Sequence, residues 1–489
     1  KNWFYWCYTF IALFVLYKSF LSMLFKKKIL FIIFIGFFIS IITSFINLNK
    51  YDQISNQLHP MIIGDIKLIW VEAEKLKRDL YDGKNYFNSG REYTRAYLPS
   101  RILALYSHIS GQELFENLDV ETAQGKIKRG YEKLTFLILQ SLIYYLALFF
   151  FHQKILDFYN YNYQKCFFIT GFLAIEPTII QWHSSFWTES IFFSLQLITL
   201  SLIIHKTNNR FFNFFIGIFI GLMYLQKTVA MFFIFPVIFY FIISKRKNKF
   251  ISILSLIVGF STILFFLGYH NFKKTNIFYV TPAQSKYAHY QVLVPLILAE
   301  KNHISENEVR KSIKQLEENW IEDNNINVNN SLGNIDIQYK DIRKLANYRQ
   351  KFFLNTLLNN KIITTKIYTK HIIHHTLLNP VQVYFWHKYN NIDSEYHLST
   401  DHEEWIWKRI LYSSIIYFFV LIGIYYSLRK KEYKNFSYFI ILSIFYFMFM
   451  LGWVGDTRYF MPSLILISIF FGEGAFIMLQ KFSKNNNIS

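Results

Sequence analysis

The sequence has few cysteines and few acidic residues for its size. Only Cys7 and Cys166 occur among the 489 residues, and both stand in apolar runs. A disulfide framework and a cysteine-based metal site are therefore excluded, while the redox compartment stays open. Lys and Arg number 52 against 32 Asp and Glu, but the basic residues cluster beside apolar runs, as they do in oriented membrane proteins. We therefore predict no nucleic-acid partner.

Apolar side chains dominate the composition. The chain is 53% hydrophobic and 20% aromatic and contains 54 Phe, which is more apolar surface than one globular core can bury. The remainder requires a lipid bilayer as partner. The sequence predicts an all-α fold, a polytopic bundle of transmembrane helices.

Apolar runs of membrane-spanning length recur along the chain. A membrane helix needs roughly 20 mainly apolar residues, because only a helix satisfies its own backbone groups in lipid. That rule predicts about ten spans, near residues 29–46, 134–151, 166–182, 187–204, 211–226, 228–244, 250–268, 409–427, 436–453 and 461–480. The run 29–46 follows three lysines but offers no small-x-small cleavage site, so we predict a retained anchor. Residues 1–28 form an N-terminal apolar segment, with 3–25 either an extra span or an interfacial helix.

Basic clusters set the expected orientation. Under the ten-span assignment they all fall on one side, which the positive-inside rule makes cytoplasmic. The clusters are Lys26 to Lys28, Lys154 with Lys165, Lys206 with Arg210, Lys245 to Lys247, Arg429 to Lys431, and Lys481. We therefore expect an outer loop at 47–133 within a membrane core of 29–270, an extracytoplasmic region at 271–408, and C-terminal spans in 409–489.

The first outer loop contains acids at the start of an amphipathic helix. Asp65 opens this helix and Glu72 lies two turns later on a similar face. An Asp at a helix start also serves simply as a cap for free backbone N–H groups, and charges on such a helix often form only a solvated face.

Several segments together resemble the GT-C superfamily of membrane glycosyltransferases. Asp65 after the first span and the later Tyr97-Leu98-Pro99 are similar to its first loop. The resemblance continues in order along the chain, through Glu176-Pro177, Trp187-Thr188-Glu189-Ser190, Gly217 to Lys227, and Arg458-Tyr459-Phe460-Met461-Pro462. The lipid-linked aminoarabinose and protein mannosyltransferase branches are the most similar in character.

This resemblance implies an inverting transferase that uses a polyprenyl-phosphate-sugar donor at the extracytoplasmic face of the membrane. Such a reaction needs a carboxylate base for the acceptor hydroxyl and cations for the departing phosphate. We expect Asp65 to be the base, Arg458 and Lys227 to hold the phosphate, and Tyr459 to contact the donor. The acceptor, whether protein, glycan or lipid, and the sugar are not specified. The Lys-, Asn-, Ile- and Phe-rich composition favours a bacterial inner membrane.

Other acids and histidines are open to a structural interpretation. Glu189, a second candidate catalytic residue, lies near the outer end of its span and could merely pair with Lys227 or His183. Many members of the family place a second acid directly after the first, where this chain has Ile66. Glu72 or Glu92 could supply that second carboxylate, and we take Glu72 as a candidate substrate-binding residue. We predict no cofactor and no metal, with a divalent ion left open.

The second outer segment is polar and predicts helices. Val309, Ile313 and Leu316 recur at helical spacing, and we expect this region to form a lid or an acceptor platform. His371 and His375 are four residues apart, but without an acidic third ligand they predict surface histidines rather than a metal site.

Three other functions share this topology. A transporter or flippase would bring broken helices and ionisable residues to the middle of the membrane, whereas the candidate residues here cluster at outer ends. A cell-surface glycan polymerase would use a similar donor on the same face. A non-catalytic membrane scaffold would have the same spans.

Overall fold

The computed structural model describes most of the membrane core and much of the second outer segment. The described residues are 25–54, 69, 72–74, 76–77, 97–111, 115–119, 124–127, 132–183, 188–205, 209–244, 248–281, 285–326, 339–378, 403–454 and 459–486.

Helices account for nearly all of these residues. The helices of the first part are α1 (Phe25–Ile54), α2 (Tyr97–Ser110), α3 (Glu132–Phe158), α4 (Tyr163–Ile175), α5 (Pro177–His183), α6 (Glu189–Ile204) and α7 (Arg210–Gln226). A 3₁₀ helix, η1 (Thr228–Phe233), leads into α8 (Ile234–Ile243) and α9 (Lys249–Thr275). The second outer segment contains α10 (Ser285–Asn302), α11 (Glu306–Asp323), α12 (Tyr339–Asn359) and α13 (Lys361–Thr376). The chain then forms α14 (Glu403–Arg429), α15 (Lys434–Val454) and α16 (Met461–Asn486). The short strands β1 (Phe115–Asp119) and β2 (Gln124–Ile127) form an antiparallel hairpin.

Six described helices are long and apolar enough to cross a membrane, which supports an integral membrane protein. The six candidate spans are Lys27–Ile46, Lys133–Phe158, Lys249–Lys273, Arg409–Arg429, Lys434–Gly452 and Met461–Ser483. Four further apolar helical stretches are shorter, namely α4, α6, α7 and the continuous pair η1 and α8. The count of ten spans therefore stays a prediction.

The predicted span 166–182 is interrupted where the sequence places Glu176 and Pro177. Pro177 is the first residue of α5, a position where its missing N–H costs no hydrogen bond. The carbonyl groups left free at the end of α4 accept hydrogen bonds from two consecutive tyrosines of α3. Tyr144 donates to the Leu173 carbonyl at 2.9 Å, and Tyr145 donates to the Ala174 carbonyl at 2.9 Å. The two tyrosines of α3 thus stabilise the end of α4 at the break.

Glycines set the closest helix contacts of the bundle. Gly217 of α7 lies against the backbone of Leu256 in α9, and Gly259 of α9 lies against the carbonyl of Phe214 in α7. The helices α14 and α16 use Gly423 and Gly474 in the same reciprocal way. Small residues let two backbones approach closely, as is common between membrane helices. The last helix, α16, is the most deeply buried of the candidate spans.

Helices α10 to α13 enclose a second hydrophobic core, and we call them the outer helical unit. This core contains Leu293 and Ile297 of α10, Val309 and Ile313 of α11, and Phe353 of α12. Ser305 and Glu308 form a reciprocal capping box at the start of α11, and these hydrogen bonds lower the pKa of Glu308.

The helix predicted from Val309 and Ile313 is confirmed, since both residues are buried. Leu316 was predicted on the same stripe but is half exposed, so the buried stripe of α11 ends before it.

Candidate functional site

A buried ion pair joins the start of α6 to the end of α7. The Lys227 ammonium lies 2.8 Å from a carboxylate oxygen of Glu189, and both side chains are almost fully enclosed. Glu189 is in the first turn of α6, where the positive end of the helix dipole favours an acid. Of the two partners that the sequence suggested for Glu189, the structure selects Lys227.

Lys227 occupies a break in the backbone. Its φ of −153° and ψ of 120° are extended, so α7 ends there and the chain continues as η1. The Lys227 N–H still bonds to the Met223 carbonyl at 2.8 Å, and the Lys227 carbonyl accepts from Ala230 at 3.1 Å. The backbone is therefore satisfied on both sides of the break, and the ammonium is held at a defined place.

Tyr459 completes a cluster of three predicted residues. The Lys227 ammonium lies 4.7 Å from the centre of the Tyr459 ring, within the range of a cation–π interaction. Tyr459 lies two residues before the first residue of α16, so the cluster joins the start of α6, the end of α7 and the start of α16. We call Glu189, Lys227 and Tyr459 the α6–α7 cluster.

Two glutamines fix the helices around this cluster. The Gln226 amide donates to the Thr188 carbonyl at 3.0 Å, which ties the end of α7 to the start of α6. The Gln196 amide donates to the Pro462 carbonyl at 2.8 Å, which ties α6 to α16. Neither glutamine was selected in the sequence analysis. The available signal was that each is a polar residue within an apolar run and so needs a partner there.

The structure describes no contact between the α6–α7 cluster and the three other predicted site residues. Asp65 and Arg458 lie outside the described residues, although Arg458 is next to Tyr459 in the chain. Glu72 lies in the short helical stretch 72–74 and is partly buried. The roles of these three residues stay predictions.

Glu176 has a structural explanation. Its carboxylate accepts hydrogen bonds from the Thr178 hydroxyl at 2.8 Å, the Ile179 N–H at 2.9 Å and the Tyr412 hydroxyl at 3.2 Å. The bond from Ile179 is that of an N-cap, because Pro177 is the first helical residue of α5 and Ile179 the third. Glu176 thus caps the restarted helix and fastens it to α14.

His183 has a different partner from the one considered above. Its Nδ1 lies 2.8 Å from the Ser190 hydroxyl, and its backbone carbonyl accepts from the Gln140 amide at 2.7 Å. The first bond holds the end of α5 to the first turn of α6, directly beside Glu189, and the second holds it to α3.

The sequence analysis missed a second ionic cluster. Glu473 of α16 is fully buried and pairs with Lys165 of α4 and with Lys430, 2.7 Å away, in the α14–α15 connection. The Lys165 ammonium also lies 4.2 Å from the Tyr159 ring centre. An acid inside the last apolar run was the available signal, because such residues almost always have a partner.

No group of three His, Cys, Asp or Glu that could hold a metal occurs in the part of the chain that the structure describes. His371 instead bonds through Nδ1 to the Gly452 carbonyl at 3.3 Å. Asp65 is not among those residues, so the expectation that no metal is bound stays a prediction.

No protein-family model matches this sequence, and no curated protein matches it. The family relationship therefore remains a resemblance of motifs in order.

Proposed function

We propose that this protein is an inverting glycosyltransferase that moves a sugar from a polyprenyl-phosphate donor to an acceptor at the extracytoplasmic face of a bacterial inner membrane. The observation that carries the proposal is the Lys227 ammonium, held at a helix break by Glu189 and Tyr459. A cation fixed in a water-poor setting can stabilise the charge that develops on a departing phosphate.

The reaction assigns a separate task to each charged group. The acceptor hydroxyl oxygen forms a bond to the anomeric carbon, and the bond from that carbon to the phosphate oxygen breaks with inversion. Asp65 takes the hydroxyl proton, and the phosphate leaves as an anion next to Lys227 and Arg458. The fork of Arg458 suits two phosphate oxygens, whereas Lys227 acts as a point charge.

Glu189 acts through Lys227. An ammonium has three N–H donors, and Glu189 accepts from one of them. The carboxylate thereby fixes the direction of the ammonium. Glu72 remains a candidate contact to the substrate.

Replacing Lys227 tests the phosphate site. We expect Lys227→Met to lower sugar transfer from a polyprenyl-phosphate donor by about 100-fold or more, as when one transition-state donor is removed. Lys314→Met is the matched control, because this exposed lysine of α11 pairs only loosely with Glu318 at 3.6 Å. Transfer is measured with purified, folded protein in lipid. Full activity of Lys227→Met would remove this residue from the phosphate site, and full activity of Asp65→Asn would refute the assigned base.

A transporter or flippase is the second candidate, and the structure contains one observation in its favour. Two apolar helical stretches are interrupted next to buried ionisable residues, Glu176 and Lys227. Broken helices of this kind form substrate sites in transporters. The two functions are separated by the product: the enzyme yields a glycosylated acceptor and free polyprenyl phosphate, whereas a transporter moves an unchanged lipid or solute between compartments.

A further inference from the structure

The junction of α12 and α13 exposes an apolar corner. The helix changes direction at Asn360, whose φ is −134° and ψ is 46°. Leu354, Leu358 and Ile362 are spaced by four residues across this junction and are 46%, 63% and 86% exposed. We call these three residues the apolar corner. Exposure of three large aliphatic side chains so close together in the chain is unusual for a surface in contact with water.

The contacts of α13 place the corner at the level of a candidate membrane span. Tyr368 donates through its hydroxyl to the Phe449 carbonyl of α15 at 2.8 Å. Three residues later in both helices, His371 Nδ1 donates to the Gly452 carbonyl at 3.3 Å. The two helices therefore run in the same direction at this contact, and α15 is a candidate span that ends at Gly452.

The N-terminal end of α13 consequently points back towards the middle of that span. Ile362 precedes Tyr368 by six residues, or about 9 Å along a helix axis. Gly452 makes the close contact feasible, because a Cβ at this position would collide with the Tyr368 ring. The corner thus lies on the membrane side of the contact between the outer helical unit and α15.

Charged residues around the corner limit how deep it can lie. The ion pair between Lys366 and Glu300 is 2.5 Å long and largely exposed. Charged groups are costly among acyl chains, so α13 is expected to leave them about one turn beyond Ile362. Lys351 precedes Leu354 by three residues, Lys361 lies between Leu358 and Ile362, and both lysines are exposed. Lysine stems can extend along apolar surface while the ammonium stays at the lipid headgroups.

The candidate span that α13 contacts has exposed apolar side chains of its own. Phe445 and Phe449 of α15 are 60% and 54% exposed. An apolar corner on a unit that packs against such a span, with lysines close to its apolar residues, has the composition of an interfacial membrane anchor.

We propose that Leu354, Leu358 and Ile362 insert into the bilayer at the boundary between headgroups and acyl chains, with Lys351 and Lys361 at anionic headgroups. The outer helical unit is then held on the membrane at two places, by its contact with α15 and by this corner. The proposal is independent of the reaction assigned above.

Depth-sensitive fluorescence tests the insertion. An environment-sensitive fluorophore is attached to Ile362→Cys or Leu358→Cys in a Cys7→Ser background, in which the remaining Cys166 is buried. The matched control is Lys314→Cys on α11, which is exposed and outside the corner. The protein is placed in nanodiscs of phosphatidylcholine and phosphatidylglycerol, with and without nitroxide-labelled lipids. We expect blue-shifted emission and strong quenching by the lipid nitroxide at 358 and 362, and neither effect at 314.

Two outcomes would overturn the proposal. Water-like emission at both corner positions would show that the corner stays in solvent. Blue-shifted emission without quenching by the lipid nitroxide would show that protein covers the corner, either another segment or a second copy of the chain. Replacing phosphatidylglycerol by phosphatidylcholine alone should reduce the quenching, and an unchanged value would refute the role of the two lysines.

Discussion

Glu473 is a buried acid that forms ion pairs with two lysines. It is enclosed within α16 and is bonded to Lys165, which is itself buried, and to Lys430, which is nearly half exposed. Removing one partner of a buried pair leaves an uncompensated charge, which costs far more than the pair contributes. The three residues are therefore expected to behave very differently on substitution.

We predict that Glu473→Ala destabilises the protein by about 3–5 kcal/mol, because it leaves Lys165 buried without its carboxylate. Lys430→Met should lower the free energy of unfolding by less than about 1 kcal/mol. The Lys430 ammonium is nearly half exposed, so its pairing with Glu473 contributes little, and Glu473 keeps Lys165 as a partner. The double variant Lys165→Met with Glu473→Leu should recover most of the loss. Thermal unfolding in lipid measures all three. Equal losses for Glu473→Ala and Lys430→Met would contradict this account.

For individual residues, the sequence predicts which charged groups need a partner better than it predicts which partner they have. Glu189 was recognised as an acid that needs a partner, and Lys227 was one of two partners suggested. The choice between Lys227 and His183 depends on how α6 packs against α7, which local sequence does not specify. The carboxylate of Glu473 is bonded to lysines from two other elements, and such long-range pairing leaves no trace in the spacing of residues.

At the scale of elements, glycines determine how closely α7 and α9 approach. We predict that Gly217→Ala destabilises the protein by about 1–3 kcal/mol, because its new Cβ would meet the backbone of α9 at Leu256 and Phe260. Gly171→Ala is the matched control, since its Cβ would meet only Ile32, at an ordinary distance of 3.4 Å. Unfolding in lipid measures both, and a loss at Gly171 as large as that at Gly217 would contradict the packing argument.

Helix boundaries were predictable where a residue imposes them. Pro177 cannot continue α4 without losing a hydrogen bond, so the sequence contained the break that the apolar count of 166–182 overlooked. Lys227 ends α7 in an extended conformation, one residue after the predicted end of the span 211–226. The outer helical unit was harder to anticipate, because its core joins α10 to α13 over long sequence distances.

At the scale of the whole molecule, the described contacts place the candidate site and the Glu473 cluster towards opposite ends of the bundle. The outer helical unit contacts α15 at Gly452, and the α6–α7 cluster contains Tyr459, just before α16. Both therefore lie at the end where α15 passes into α16. Glu473 is twelve residues into α16, or about 18 Å along its axis, towards the other end.

The proposed reaction depends on which side of the membrane each end of the bundle faces. Basic clusters such as Lys430 and Lys431 predict that the far end of the bundle faces the cytoplasm. In a Cys7→Ser background, Glu318→Cys on the outer helical unit should react with a membrane-impermeant maleimide in intact cells. Lys481→Cys, near the C-terminal end of α16, should react only after the membrane is made permeable.

The reverse pattern would place Lys227 and Tyr459 on the cytoplasmic side and remove the basis for a lipid-phosphate donor presented at the outer face. Labelling of both positions in intact cells would show that the helix α16 does not cross the membrane between Tyr459 and Lys481. If the expected pattern is found, the ion pair of Glu189 and Lys227 lies at the outer end of the bundle, where a polyprenyl phosphate could reach it from the leaflet.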